Sequence, residues 1–111
     1  DREHAVRPRR LPPNPPEVDL VLYRVAQEAL TNVIRHARAT RAEVVLTRDD
    51  DRLRLTVRDN GRGMNSDGAE VGRNGIAGMR ERALLVGGQL QLQSELGKGT
   101  VVTLEIPVTR E

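Results

Sequence analysis

Val18, Leu22, Val25, Ala26, Ala29, Leu30, Val33 and Ala37 recur at three- and four-residue steps. That spacing gathers them into one stripe and predicts an amphipathic helix from about Pro15 to Arg38. Its start is marked by Asn14 as a cap, Pro15 at the first helical position and Glu17 where a capping box wants an acid. The period then drops to two. Glu43 to Arg48 and Leu53 to Arg58 alternate around the polar turn Asp49-Asp50-Asp51, which predicts a half-buried hairpin. Leu53, Leu55 and Val57 fall on one face of it, and Arg52, Arg54, Thr56 and Arg58 on the other. From Asn60 to Gly78 the chain is glycine-rich and has no period; unstructured stretches beyond about 12–15 residues are uncommon in compact domains and usually functional. A second helix is expected over Ile76 to Val86, with Met79, Ala83 and Val86 inward and Gly87-Gly88 ending it. Strands Gln89 to Glu95 and Thr100 to Val108, joined by Leu96-Gly97-Lys98-Gly99, close the chain. The order helix, hairpin, loop, helix, hairpin points to an α+β fold, a two-layer sandwich with helices on one face of a mixed, mostly antiparallel sheet.

Composition narrows this picture. The chain has 111 residues, no Phe, no Trp and one tyrosine, Tyr23, so Leu, Val, Ile and Ala must fill a single small core. There is no cysteine, which excludes disulfides and thiolate metal sites. Residues 1–16 are charged and proline-punctuated, as suits a linker or a remnant edge strand, leaving 17–111 as the folded domain. The net charge is +2, but the arginines are scattered among 16 acids rather than gathered into a stripe, which argues against nucleic acid. No apolar run approaches the roughly 20 residues that span a bilayer, and no signal-peptide pattern opens the chain. We therefore expect a cytoplasmic module, by itself or as the cytoplasmic part of a membrane-bound protein, without direct membrane contact and monomeric as it stands.

Four segments carry candidate chemistry. Glu28, Asn32 and Arg35 are four and three residues apart and would stack beside the apolar stripe. The acid could orient a water, the amide oxygen ligate Mg2+, and the guanidinium meet phosphate; the plainer alternative is a solvated helix face. His36 sits at the stripe's rim. Asp59-Asn60-Gly61-Arg62-Gly63-Met64 follows a strand directly. It is either a turn, or a carboxylate placed to accept an exocyclic amine beside glycines that admit a flat ring. Gly75-Ile76-Ala77-Gly78-Met79 runs glycines into a helix N-terminus, a natural seat for phosphate. Gly97-Lys98-Gly99-Thr100 reads by itself as an ordinary glycine hairpin.

In this order and context, the four segments resemble the GHKL ATP-binding superfamily and, within it, the catalytic domain of two-component sensor histidine kinases. The resemblance covers roughly Leu20 to Pro107. ALTNVIRHA (Ala29–Ala37) after Glu28 looks like the N box, DNGRGM the first glycine box, GIAGMRER the second and GKGTVVTLEIP (Gly97–Pro107) the last. GMRER and the acidic Glu28 are similar to the nitrate-sensor and degradation-sensor subfamily.

The resemblance implies ATP and Mg2+ as cofactors. Asn32 would ligate the metal, Glu28 would organise its shell or polarise a water, and Arg35 and His36 would lie near the phosphates. Asp59 would accept the adenine amino group, with Gly61, Gly63 and Met64 walling the base. Residues 65–73 would form a lid over the nucleotide, anchored by Gly75, Ile76, Gly78 and Met79. Thr100 would close the adenine side beside Gly97 and Gly99. The γ-phosphoryl would pass to a histidine on a separate dimerisation domain and then to a response regulator. The family's usual strand before the first helix would have to come from a few residues around His4 to Arg7. Two alternatives share the fold: a serine kinase of the anti-sigma type, and a non-catalytic nucleotide-sensing or docking module.

Overall fold

The computed structural model describes residues 14–49, 51–63 and 75–108, with only the backbone of His36 and Ala37. Helix α1 spans Pro16–Asn32 and runs on through a wider π-helical turn, Val33–Ala37. Strands β1 (Ala42–Arg48) and β2 (Arg52–Asp59) form the first hairpin. Helix α2 covers Ile76–Leu85, and β3 (Gln89–Glu95) and β4 (Gly99–Pro107) form the second hairpin. The strands lie in the order β1-β2-β4-β3, and every pairing among the described residues is antiparallel. Both helices pack on one face, α1 over β2, α2 over β3, and each against the other. The α+β sandwich expected from the pattern is the fold observed.

Register explains where the core sits. Directly paired residues of an antiparallel sheet share a face, so the inward side is built in rows. One row is Leu90, Leu104, Leu55 and Leu46; the next is Leu92, Val102, Val57 and Val44. Val25 and Val21 of α1 and Ile76, Met79 and Ala83 of α2 close over these rows. Each fully buried Leu, Ile, Val or Met contributes roughly 1.5–3 kcal/mol, and Leu53, Leu104 and Ile106 are among those wholly covered. On the opposite face Arg54 donates to Glu105 and Arg52 lies 3.5 Å from the same carboxylate, while Arg58 reaches Glu43 at 3.6 Å. These pairs are solvated and add little, about 0–1 kcal/mol each. No helix among the described residues is long and apolar enough to cross a membrane.

The helix ends differ from each other and, in part, from the sequence reading. Helix α1 begins one residue later than expected: Pro15 is the cap and Pro16 the first helical residue, with no side-chain cap. Asn14 instead donates its amide to the Asp19 carboxylate at 3.0 Å, so the capping role assigned to it is not the one it performs. Two prolines in succession explain this, since Pro15 holds an extended ψ of 146° and the residue before a proline is disfavoured in helix. Helix α2 ends as its glycines predict. Gly88 N–H donates to Ala83 O at 2.8 Å and Gly87 N–H to Leu84 O at 3.1 Å, a Schellman closure. The π turn after α1 ends on Arg38 at φ 53°, the only non-glycine in left-handed conformation among the described residues. The tail 1–13, with the edge strand expected around His4 to Arg7, lies outside the described residues.

Replacing Arg38 by glycine removes the Cβ penalty of the left-handed cap. Offset by the entropy of a freer unfolded chain, it is expected to raise stability by about 0.5–1 kcal/mol, measured as a shift in the urea midpoint with an unchanged slope.

Candidate functional site

The core rows of the sheet end in a polar one. Ser94 pairs with Thr100, Thr100 with Asp59 and Asp59 with Ala42, so the inward pattern that runs Leu53, Leu55, Val57 continues into a carboxylate. Asp59 and Thr100 are each only 8% exposed. Asp59 Oδ1 accepts the buried N–H of Gly61 at 2.8 Å, which fixes the carboxylate and leaves Oδ2 without a described protein donor. The Ser94 and Thr100 hydroxyls lie 2.7 Å apart. A flat polar ledge thus caps one end of an aliphatic core, with the Asp59–Gly63 segment along its rim.

That segment is held by its neighbours rather than by itself. Asn60 Oδ1 accepts the N–H groups of Thr40 and Arg41, both at 3.0 Å, and its amide donates to Thr40 Oγ1 at 3.0 Å. The turn leaving α1 is thereby tied to the end of β2. On the other side Gly97 N–H donates to Arg62 O at 2.7 Å. Gly63 (φ 69°) and Gly99 (φ 86°) lie so close to the backbone that a Cβ would collide with the carbonyl oxygens of Glu95 and Asp59 respectively. Their lack of a side chain therefore serves loop-on-hairpin packing. The side of Gly63 on which a Cβ would stand is occupied by the backbone of the β3–β4 hairpin. Gly61 is buried beside Asp59, and Gly97 faces open space. Met64 and the lid residues 65–73 lie outside the described residues.

The second half of the site joins the helices. Gly75 caps α2 at φ 71°, and a Cβ there would sit 2.5 Å from Glu28 Oε2. Glu28 therefore abuts the N-terminal end of α2, where the helix dipole favours negative charge. Asn32 is the last residue of α1, one helical turn on from Glu28. Arg35 is exposed within the π turn; the wider winding takes it out of the α-helical register in which the spacing from Asn32 was read, and single π turns are frequent at functional sites. Of His36 only the backbone is described. Ile76 and Met79 are 0% and 1% exposed, so their side chains belong to the core and only their backbone groups can face a ligand. Gly78 is exposed, with nothing within 4 Å of where a Cβ would be.

Glu28 of α1 thus meets the residue that caps α2, and Asp59 meets Thr100 across the sheet end, each contact joining distant stretches of sequence. A family model described as histidine kinase-, DNA gyrase B-, and HSP90-like ATPase matches residues 17–110. The chain belongs to this family. Among curated relatives, the sensor histidine kinase LiaS of Bacillus subtilis is 40% identical over 81% of this chain and 25% of its own length. The oxygen sensor histidine kinase NreB of Staphylococcus carnosus is 39% identical over 84% of this chain and 27% of its own. Among solved structures, the blue-light activated histidine kinase of Erythrobacter litoralis superposes with a TM-score of 0.75 at 29% identity, over 86% of this chain and 32% of that one. The chain thus spans about a quarter of the length of the curated relatives it matches, and it corresponds to their ATPase-type domain. Ser94 lies outside the four motifs, and Asn60 stands in one of them with no role assigned to it. The inward parity of β3 singles out the first, since Ser94 breaks the run Leu90, Leu92.

Gly99→Ala is expected to cost roughly 2–4 kcal/mol, combining left-handed strain with a backbone collision. Gly97→Ala, equally left-handed but in open space, should cost only about 1–2 kcal/mol. Gly78→Ala is expected to stabilise by about 0.5–1 kcal/mol, because nothing opposes its methyl. Thermal unfolding of the three variants reads these differences.

Proposed function

We propose that this chain binds Mg·ATP between the Asp59 ledge and the N-terminus of α2, and supplies the γ-phosphoryl that a histidine kinase transfers to a histidine on a separate domain. The buried carboxylate of Asp59 carries the reading. It stands at the end of an otherwise apolar row, one oxygen already satisfied by Gly61, and so presents its second oxygen to a ligand donor such as the adenine amino group. A carboxylate held at 8% exposure is costly unless something compensates it.

At the far end, the N–H groups opening α2 would face the phosphates, with Arg35 and His36 of the π turn beside them. Asn32 and Glu28 would hold Mg2+, whose contribution when bound is to neutralise phosphate charge. The donor set fits: magnesium takes one or two protein oxygens and completes its shell with water and phosphate. Among the described residues no three of His, Cys, Asp or Glu converge to form a protein-only cage.

The chain's task in transfer is positioning. The bond between the γ-phosphorus and its bridging oxygen breaks, a phosphorus–nitrogen bond forms to the acceptor imidazole, and ADP remains on the ledge. The acceptor histidine and the response regulator downstream belong to other domains. The chain holds two histidines; His36 falls at the nucleotide site and His4 in a proline-flanked segment. A cytoplasmic setting follows from the dependence on ATP.

Two outcomes test this. Asp59→Asn keeps an acceptor for Gly61 but turns a donor toward the base, so ATP and ADP affinity by calorimetry should fall roughly 10- to 150-fold, as for loss of a charge-assisted hydrogen bond. Unchanged affinity would refute the adenine site. Incubated alone with γ-labelled ATP, the chain should acquire no phosphohistidine; label at His4 or His36 would overturn the assignment of the acceptor to another domain.

A further inference from the structure

We propose that Asn60 is a positioning residue that fixes where Arg35 stands relative to the Asp59 ledge. It thereby governs the hold on the phosphate end of the nucleotide and leaves the reading of its base unchanged. The inference rests on the ATP-binding reading above, in which Arg35 lies beside the phosphates. Asn60 follows Asp59 directly, at the end of β2. Its backbone N–H donates to Arg41 O at 3.3 Å, which carries the β1–β2 ladder one residue past the Asp59–Ala42 pair. That bond asks for no particular side chain.

The side chain makes a separate set of contacts. Thr40 and Arg41 each donate a backbone N–H to Asn60 Oδ1, and Asn60 Nδ2 donates to Thr40 Oγ1, all at 3.0 Å. Backbone N–H groups only donate, so the carbonyl end of the carboxamide must face them, which turns its NH2 to the hydroxyl. An aspartate would keep the acceptor and lose the donor; an aliphatic residue would keep neither. All three bonds land immediately after Arg38, where the π turn Val33–Ala37 ends in left-handed conformation at φ 53°. Both the wide turn and the left-handed arginine are disfavoured locally. Such geometry persists only where surrounding contacts over-determine it, and the Asn60 carboxamide supplies contacts of that kind from the sheet. Arg35 is exposed within the turn so held, and its placement thus depends on the strand end that carries Asp59. Without the carboxamide the exit of the turn is free to rewind, which swings Arg35 about the helix axis. Asp59 keeps its own anchors, the pairing of β2 on both sides and the Gly61 N–H at 2.8 Å.

The test is a double-mutant cycle in Mg·ATP affinity, measured by calorimetry on wild type, Asn60→Ala, Arg35→Ala and the double variant, with thermal unfolding establishing that each is folded. Adenosine, read by competition, probes the base end alone. Arg35→Ala should weaken Mg·ATP binding about tenfold, as for loss of a charge-assisted hydrogen bond. Asn60→Ala should weaken it about three- to tenfold with adenosine unmoved, and should add nothing once Arg35 is gone, as for residues of one network. A merely structural role would weaken both ligands together or add in full to Arg35→Ala. Either result, or undiminished affinity in Arg35→Ala, would overturn the proposal. If Asn60→Ala does not fold, Thr40→Val decides by the same cycle, since it removes one bond of the clamp. Its expected loss, about twofold, should be present with Arg35 and absent without it; an equal loss in both backgrounds, or none in either, contradicts the coupling. Failure of wild type to bind Mg·ATP would sink the function reading itself. Binding with losses that add would sink only the role of Asn60.

Discussion

The candidate site depends on the close docking of the Asp59–Gly63 segment on the turn between β3 and β4. Two backbones meet there without side chains between them. Gly99 lies under the Asp59 carbonyl, Gly63 under that of Glu95, and Gly97 N–H closes the contact on Arg62 O. Because β2 and β4 are neighbours in the sheet, this docking aligns the end of one strand with the start of the other. It brings the Asp59 carboxylate level with the Thr100 and Ser94 hydroxyls. The apolar rows behind that ledge give the three groups a dry backing, which strengthens every polar interaction made at its surface.

The helical layer is held together by a different kind of contact. Glu28 sits against the residue that caps α2, so the acid of the first helix and the dipole of the second define a common rim. Asn60 ties the segment leaving the π turn to the end of β2 through three hydrogen bonds, which couples the rim to the ledge. On the proposed reading the domain divides its work: the sheet end would recognise a ring, and the helix ends would meet the charge. Membership of the ATPase family fits that division, since phosphoryl transfer asks a protein mainly to position and to neutralise.

Much of the architecture was legible because it repeats along the chain. The three- and four-residue steps from Val18 to Ala37 and the alternation of Leu53, Leu55 and Val57 located helix and strands within a residue or two. Gly87-Gly88 located the end of α2 through a hydrogen-bond closure that glycine makes cheap. The start of α1 was displaced by one residue because Pro15 and Pro16 compete for the same position. The π turn was not legible at all. It leaves the apolar stripe intact while altering the winding, so Arg35 was placed on an α-helical face that it leaves.

By itself, the sequence determined the order and faces of the elements, the inward placement of Asp59 by parity with Val57, and the motifs that mark the family. Those are local matters of period, turn chemistry and residue type. Only the tertiary structure decided that Gly63 and Gly99 lie against other backbones, that Ile76 and Met79 belong to the core, and that Asn60 and Ser94 bond across segments. Each of these depends on a partner from another segment: Glu95 for Gly63, Asp59 for Gly99, Thr40 for Asn60, Thr100 for Ser94. A glycine's motif does not say which backbone will approach it, and a serine's neighbours in sequence do not say which hydroxyl it will meet across a strand.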